Sequence, residues 1–159
     1  MKKNNKGFSY VELMIVIAIM GIVVGLVSLS FTLVDRTNVA KAGDRLISVL
    51  NQGRTNALTK GSSSGYVYFT KKNGALYAYV GPQISAIDYG TQNWERISSR
   101  AIDVNLVGSS INEGDLRFVQ FSQATGAPAA GISLSFVLSS GGKSCSVFID
   151  AYTGKTTKQ

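Results

Sequence analysis

The chain has 159 residues, 45% of them hydrophobic, and a formal net charge of +7. It contains no histidine, which removes the commonest general base and metal ligand. Its single cysteine, Cys145, excludes an intrachain disulfide and a thiolate zinc cluster. No set of nucleophile, base and metal ligands is recognisable, so a tethered enzyme is disfavoured and neither cofactor nor metal is implied.

Met1 to Gly7 carries Lys2, Lys3 and Lys6 and no acid. The positive-inside rule keeps such a leader in the cytoplasm and places the rest of the chain outside. The run from Leu13 to Val34 contains no charge and is long enough to cross a bilayer, which takes ~20 residues at helical rise. Glu12 stands at the head of that run, where a carboxylate is costly unless something pairs with it. A secretory signal carries its cleavage site after the apolar region, but here the small residue, Gly7, precedes it. Cleavage after Gly7 would keep the helix on the mature protein. It would also create an ammonium group at Phe8, four residues from Glu12.

The segment Lys6-Gly7-Phe8-Ser9-Tyr10-Val11-Glu12-Leu13, followed by Met14 to Gly21, resembles the class III signal of type IV prepilins and type II secretion pseudopilins. The resemblance implies that a prepilin peptidase cuts between Gly7 and Phe8 and N-methylates Phe8, and that Glu12 is the family's glutamate. It also implies partners: other pilins or pseudopilins, an inner-membrane platform protein, an assembly ATPase, and membrane lipid before assembly. The alternative is a plain anchor that begins Gly-Phe and contains one acid. In a filament, the Phe8 ammonium of an incoming subunit would meet the Glu12 carboxylate of a docked one. Breaking such a pair in low dielectric costs several kcal/mol, so it would act as a register device. Gly21 and Gly25 form a GxxxG spacing that lets another helix backbone approach, although glycine is also simply common in membrane helices. Many major pilins carry a proline where this chain has Leu29, so no proline kink arises there. That difference favours a minor pilin or a pseudopilin.

Beyond Val34, residues Val39, Ala42, Leu46, Val49, Leu50, Gly53 and Ala57 fall on one helical stripe, and Gly61 is a stop signal. Gly53 lies on the stripe and would permit close approach of a strand. Candidate strands are Tyr66–Thr70, Ala75–Val80, Trp94–Ser98, Ile102–Val107, Leu116–Phe121, Ile132–Leu138 and Ser144–Ile149. Asn73-Gly74 marks a hairpin, since that turn needs positive φ twice. Thr153-Gly154 turns a last short hairpin. The remaining breakers cluster at 61–65, 81–82, 108–115, 126–131 and 141–142.

Residues Ala42 to Gly61, with Leu46, Leu50, Arg54, Asn56, Ala57 and Lys60, resemble the GspH/FimT group of minor pilins, in which a helix of this kind leads into a β-sandwich. Asn56 departs from the glutamate often found in that group. The expected fold is α+β: a long N-terminal helix, half transmembrane and half amphipathic, packed on a C-terminal antiparallel β-sheet or β-sandwich head. The divisions are a leader over 1–7, a membrane or filament-core helix over 8–34, an amphipathic helix over 35–61 and a β-rich head over 62–159. A major pilin would lay a single sheet over the helix instead.

Two functions follow. One is a structural subunit of a type IV pilus or secretion pseudopilus that primes or tips the filament. The other is a filament-borne binding module for DNA, as in competence, or for a surface ligand. Removal of the leader's three lysines from the net charge leaves +4 (7 − 3). Lys71, Lys72, Lys143, Lys155 and Lys158 are the candidate polyanion contacts, repeated along a filament. The competing reading is a solvated face that keeps the head soluble. Asn112-Glu113-Gly114-Asp115 lacks the ligand-every-second-residue spacing of a calcium loop and reads better as a solvated turn. Cys145, between Ser144 and Ser146, reads as a small core residue.

Overall fold

The computed structural model describes residues 9–159, with side chains described for residues 9–26 and 37–159. The fold is α+β: one helix followed by two antiparallel sheets. The chain divides into two compact units, Met1–Val34 and Asp35–Gln159.

Helix α1 spans Tyr10–Lys60. Its first turn closes with the Leu13 amide donating to the Ser9 carbonyl at 3.1 Å. Glu12 in that turn lies at the positive end of the helix dipole, where an acid is favoured. At the other end Gly61 takes φ +99° and its amide donates to the Ala57 carbonyl, 3.1 Å away. That positive φ is cheap only for glycine, so the helix stops there, as the sequence predicts. A 3-10 turn over Ser62–Ser64 then leads into the strands.

The first sheet has the order β3-β2-β1-β6, from β1 (Tyr66–Lys72), β2 (Ala75–Gly81), β3 (Glu95–Arg96) and β6 (Arg117–Gln120). The second has the order β5-β4-β7-β8-β9, from β4 (Asp103–Leu106), β5 (Ser109–Ser110), β7 (Leu134–Ser140), β8 (Lys143–Ile149) and β9 (Thr156–Lys158). The β1–β2 hairpin turns on Asn73 and Gly74, at φ 51° and 73°, as the Asn-Gly signal requires. Register follows burial. In β7, Leu134, Phe136 and Leu138 point to the core while Ser135 and Val137 are half exposed.

Helix stripe and sheets share one core. Val39, Ala42, Leu46, Val49, Leu50 and Ala57 are buried with Val67, Phe69 and Leu76 of the first sheet and Phe136, Leu138, Val147 and Ile149 of the second. Phe69 and Phe136 meet edge-on with ring centroids 5.0 Å apart. Gly53 is the close approach: a Cβ there would collide with the Val67 side chain. Each buried leucine on the stripe contributes about 1.5–3 kcal/mol of transfer free energy.

Three strand expectations are corrected. The strand expected over Trp94–Ser98 shrinks to Glu95–Arg96, because both the Ile97 and Ser98 amides turn to one acceptor, the Leu76 carbonyl. The strand expected from Ile132 begins at Leu134, after a turn in which Gly131 donates to the Pro128 carbonyl, and Ile132 is 52% exposed. A short strand, β5, forms inside the stretch 108–115, where the sequence shows only breakers, because Ser109 and Ser110 pair with Leu106 and Asn105 of β4.

On the face of the first sheet away from the core, Tyr66, Tyr68, Tyr79 and Phe118 stack in a chain that Trp94 and Tyr89 continue. The segment 82–94 packs along it, with the Ile84 amide donating to the Tyr68 hydroxyl at 2.9 Å. Tyr68 is therefore buried, and that burial pushes its hydroxyl above the ordinary tyrosine value. A small satellite cluster under a long connection has this form.

Candidate assembly site and charged surface

Glu12 sits in the first turn of α1, exposed, and no polar side chain follows it as far as Leu26. The leader 1–7, the Gly7–Phe8 junction and the Phe8 amino group lie outside the described residues, so the position of Phe8 relative to Glu12 does too. From Tyr10 to Leu26 the large apolar side chains are exposed on every face: Val11, Leu13, Met14, Ile15, Ile17, Ile19, Met20, Ile22, Val23 and Val24 each by more than half. A helix apolar all round needs cover on every side. Gly21 and Gly25 have nothing within 4 Å of where a Cβ would stand, so both bare patches are open. Among the described residues, no helix is long and apolar enough to cross a membrane. The outer part of the apolar run, from residue 27, falls beyond the described side chains.

Three of the five candidate lysines are separately engaged. Lys71 pairs with Asp103 at 3.1 Å. Lys72 places its ammonium 4.0 Å from the centroid of the Tyr89 ring. Lys158 pairs with Asp44 at 2.7 Å and donates to the Ala40 carbonyl at 3.1 Å, tying β9 to α1. Thr156 adds to the tie by donating to Asn51 at 2.9 Å. Lys143 and Lys155 are exposed, and Lys143 shares a cavity rim with Lys158.

The Asn112–Asp115 segment is closed on itself. The Asn112 amide donates to Asp115 at 3.1 Å, while Glu113 turns away to accept from the Gly74 amide at 2.6 Å. Among the described residues no group of three or more metal-ligating side chains comes together. Cys145 lies in β8 with its side chain in the core, 6% exposed. Burial pushes its thiol up, with the nearby Lys158 ammonium opposing that shift. It is a packed core residue rather than a nucleophile.

Sequence reasoning missed Asn38. It is buried beside the stripe, and its Oδ1 accepts from the Ser99 amide at 3.1 Å, the Ser99 hydroxyl at 2.8 Å and the Arg100 amide at 3.3 Å. A polar residue next to an apolar stripe looks solvated until the segment that covers it is known.

Residues 2–28 match the family described as Prokaryotic N-terminal methylation motif. This is a type IV pilin-like prepilin signal, and it covers the lysines of the leader, Gly7, Phe8, Glu12 and the start of the apolar run. No curated protein and no solved structure matches the chain.

Proposed function

We propose that this chain is a minor pilin or pseudopilin, cleaved between Gly7 and Phe8, N-methylated on Phe8 and assembled into a type IV pilus or secretion pseudopilus that it primes or tips. The N-terminal methylation motif carries this reading. It is a motif of structural subunits, and it implies a prepilin peptidase and sister pilins as partners. The apolar surface all round α1 from Tyr10 to Leu26, exposed in the lone subunit, supports it further: such a surface suits lipid before assembly and neighbouring helices afterwards. On this reading the chain is held in the inner membrane with its head outside, and a platform protein and ATPase drive its extraction.

The GspH/FimT group is the subtype we favour. Two sheets closing on one core, rather than one sheet laid on the helix, support it. The DNA-binding reading has weaker support, because ion pairs engage Lys71 and Lys158 and an aromatic ring engages Lys72.

The test is Glu12→Ala expressed with the assembly machinery. Leader removal should proceed normally, read by mass spectrometry of the amino terminus, while incorporation into filaments drops by an order of magnitude or more, the loss expected from several kcal/mol. Normal incorporation of the variant would remove the Phe8–Glu12 pairing. Residues 1–7 still attached in assembled filaments would remove the whole reading.

A further inference from the structure

We propose that the first turns of the head carry a cationic surface that docks on anionic lipid headgroups while the subunit is stored; this rests on the reading above that the apolar run holds the chain in a bilayer. The surface consists of Lys41, Arg45, Arg96 and Arg100, all exposed. Lys41 and Arg45 are one turn apart on the same side of α1. Arg96 ends β3 and Arg100 lies in the segment that follows.

Specific bonds hold three of these cations, and Lys41 lies one turn from Arg45 on the helix. Arg45 donates from Nη1 to the Arg96 carbonyl at 3.1 Å. Arg96 folds back, donating from Nε to the Ser98 carbonyl at 2.8 Å and from Nη2 to the Ser99 carbonyl at 2.7 Å. Buried Asn38 accepts from the amides of Ser99 and Arg100, which fixes the Arg100 backbone against the helix. Among the described residues none of the four cations makes an ion pair. The two pairs present are Lys71–Asp103 and Lys158–Asp44, so the acid beside Arg45 is already engaged by Lys158. Glu95 is the other acid next to the cluster in sequence, and it is exposed.

Position argues for a membrane as the partner. Lys41 and Arg45 follow Val34 by seven and eleven residues (41 − 34 and 45 − 34), which is about 10 and 16 Å of helix. The polar layer on one side of a bilayer is ~5–8 Å deep, and the Debye length at physiological salt adds ~8 Å. Long cationic side chains at these positions reach that zone. The cluster does not serve orientation, since cations on the exported side oppose the positive-inside rule. Release from the headgroups would then accompany extraction into the filament.

Residues 35–159 form a compact unit with its own core, so this fragment is the reagent. Flotation with phosphatidylglycerol-containing vesicles should show binding that falls as salt rises, with pure phosphatidylcholine vesicles left unbound. Lys41→Gln, Arg45→Gln and Arg100→Gln should each weaken binding by about fivefold, the factor for one cation near an anionic surface. Arg45→Lys and Arg100→Lys should retain binding, and unchanged thermal unfolding would show that each variant is folded. The double variant Lys143→Gln/Lys155→Gln should bind like the parent. Equal loss in that control, no difference between the two lipids, or preferential capture of a short DNA duplex by the same three residues would each overturn the proposal. Leader removal is read on the full chain by mass spectrometry, so failure of the maturation reading is seen apart from the vesicle result.

Discussion

Residues 10–26 and 37–60 belong to the same helix, yet they meet opposite surroundings. In the first stretch Leu13, Ile17 and Ile22 are 52%, 61% and 64% exposed. In the second, Leu46, Leu50 and Ala57 are fully buried. Glycine changes meaning in the same way. Around Gly21 and Gly25 the space is open, whereas the space a Cβ would take at Gly53 is already filled by Val67. The lesson concerns where the covering atoms come from. The second stretch is amphipathic because its own chain supplies two sheets to one face. The first is apolar on all sides and takes no such cover from the two sheets, the pattern of a helix whose surroundings are apolar all round.

The largest effect separates the two stretches directly. Leu46→Ala should destabilise the head by about 2–5 kcal/mol, the range for a buried leucine leaving a cavity. Ile17→Ala in the detergent-solubilised full chain should leave head unfolding within about 0.5 kcal/mol of the parent. Denaturant melts of both variants check this, and equal losses would erase the distinction.

Glycine substitutions sharpen it. Gly53→Ala gains helix propensity but forces Val67 aside, so a net loss of about 1–3 kcal/mol is expected from overpacking. Gly21→Ala meets nothing in the lone subunit and should not lower head stability. If its glycine admits a neighbouring helix, incorporation into filaments will fall instead. A stable Gly53→Ala head would show that the close approach to β1 is slack.

The smallest effect is at Cys145. Burial raises its thiol above the ordinary value, so the folded head holds the proton to higher pH than the unfolded chain does. The stability contributed by the protonated thiol is therefore present below the unfolded value, ~8.5, and is lost as pH rises through the folded one. Alkylation of the native head should be slow at neutral pH and should rise only at a pH above that of the denatured chain. Identical pH profiles in native protein and denaturant would contradict the burial.

Local patterns were legible where the physics is local. The stripe Val39–Ala57, the stop at Gly61 and the Asn73–Gly74 turn each depend on a few adjacent residues, and each appears as read. The Trp94–Ser98 and Ile132 expectations failed because strand ends are decided by pairing partners distant in sequence. Leu76 captures two amides in the first case, and in the second a turn over Pro128–Gly131 leaves Ile132 outside. The candidate lysines could not be sorted either. Whether Lys71 or Lys158 is free depends on Asp103 and Asp44, which lie 32 and 114 residues away.

The order of residues by itself determined the prepilin-type signal, the uncharged run and the single acid at its head, because cleavage and insertion read short contiguous segments. It also determined the α+β class, through a 3.6-residue period followed by alternation. Only the tertiary structure decided that the strands divide into two sheets around one core. The same holds for Asn38, which holds the 99–100 segment, and for Arg45, Arg96 and Arg100, which share a surface. Those outcomes depend on contacts between parts of the chain tens of residues apart, and no local pattern encodes which distant groups will meet.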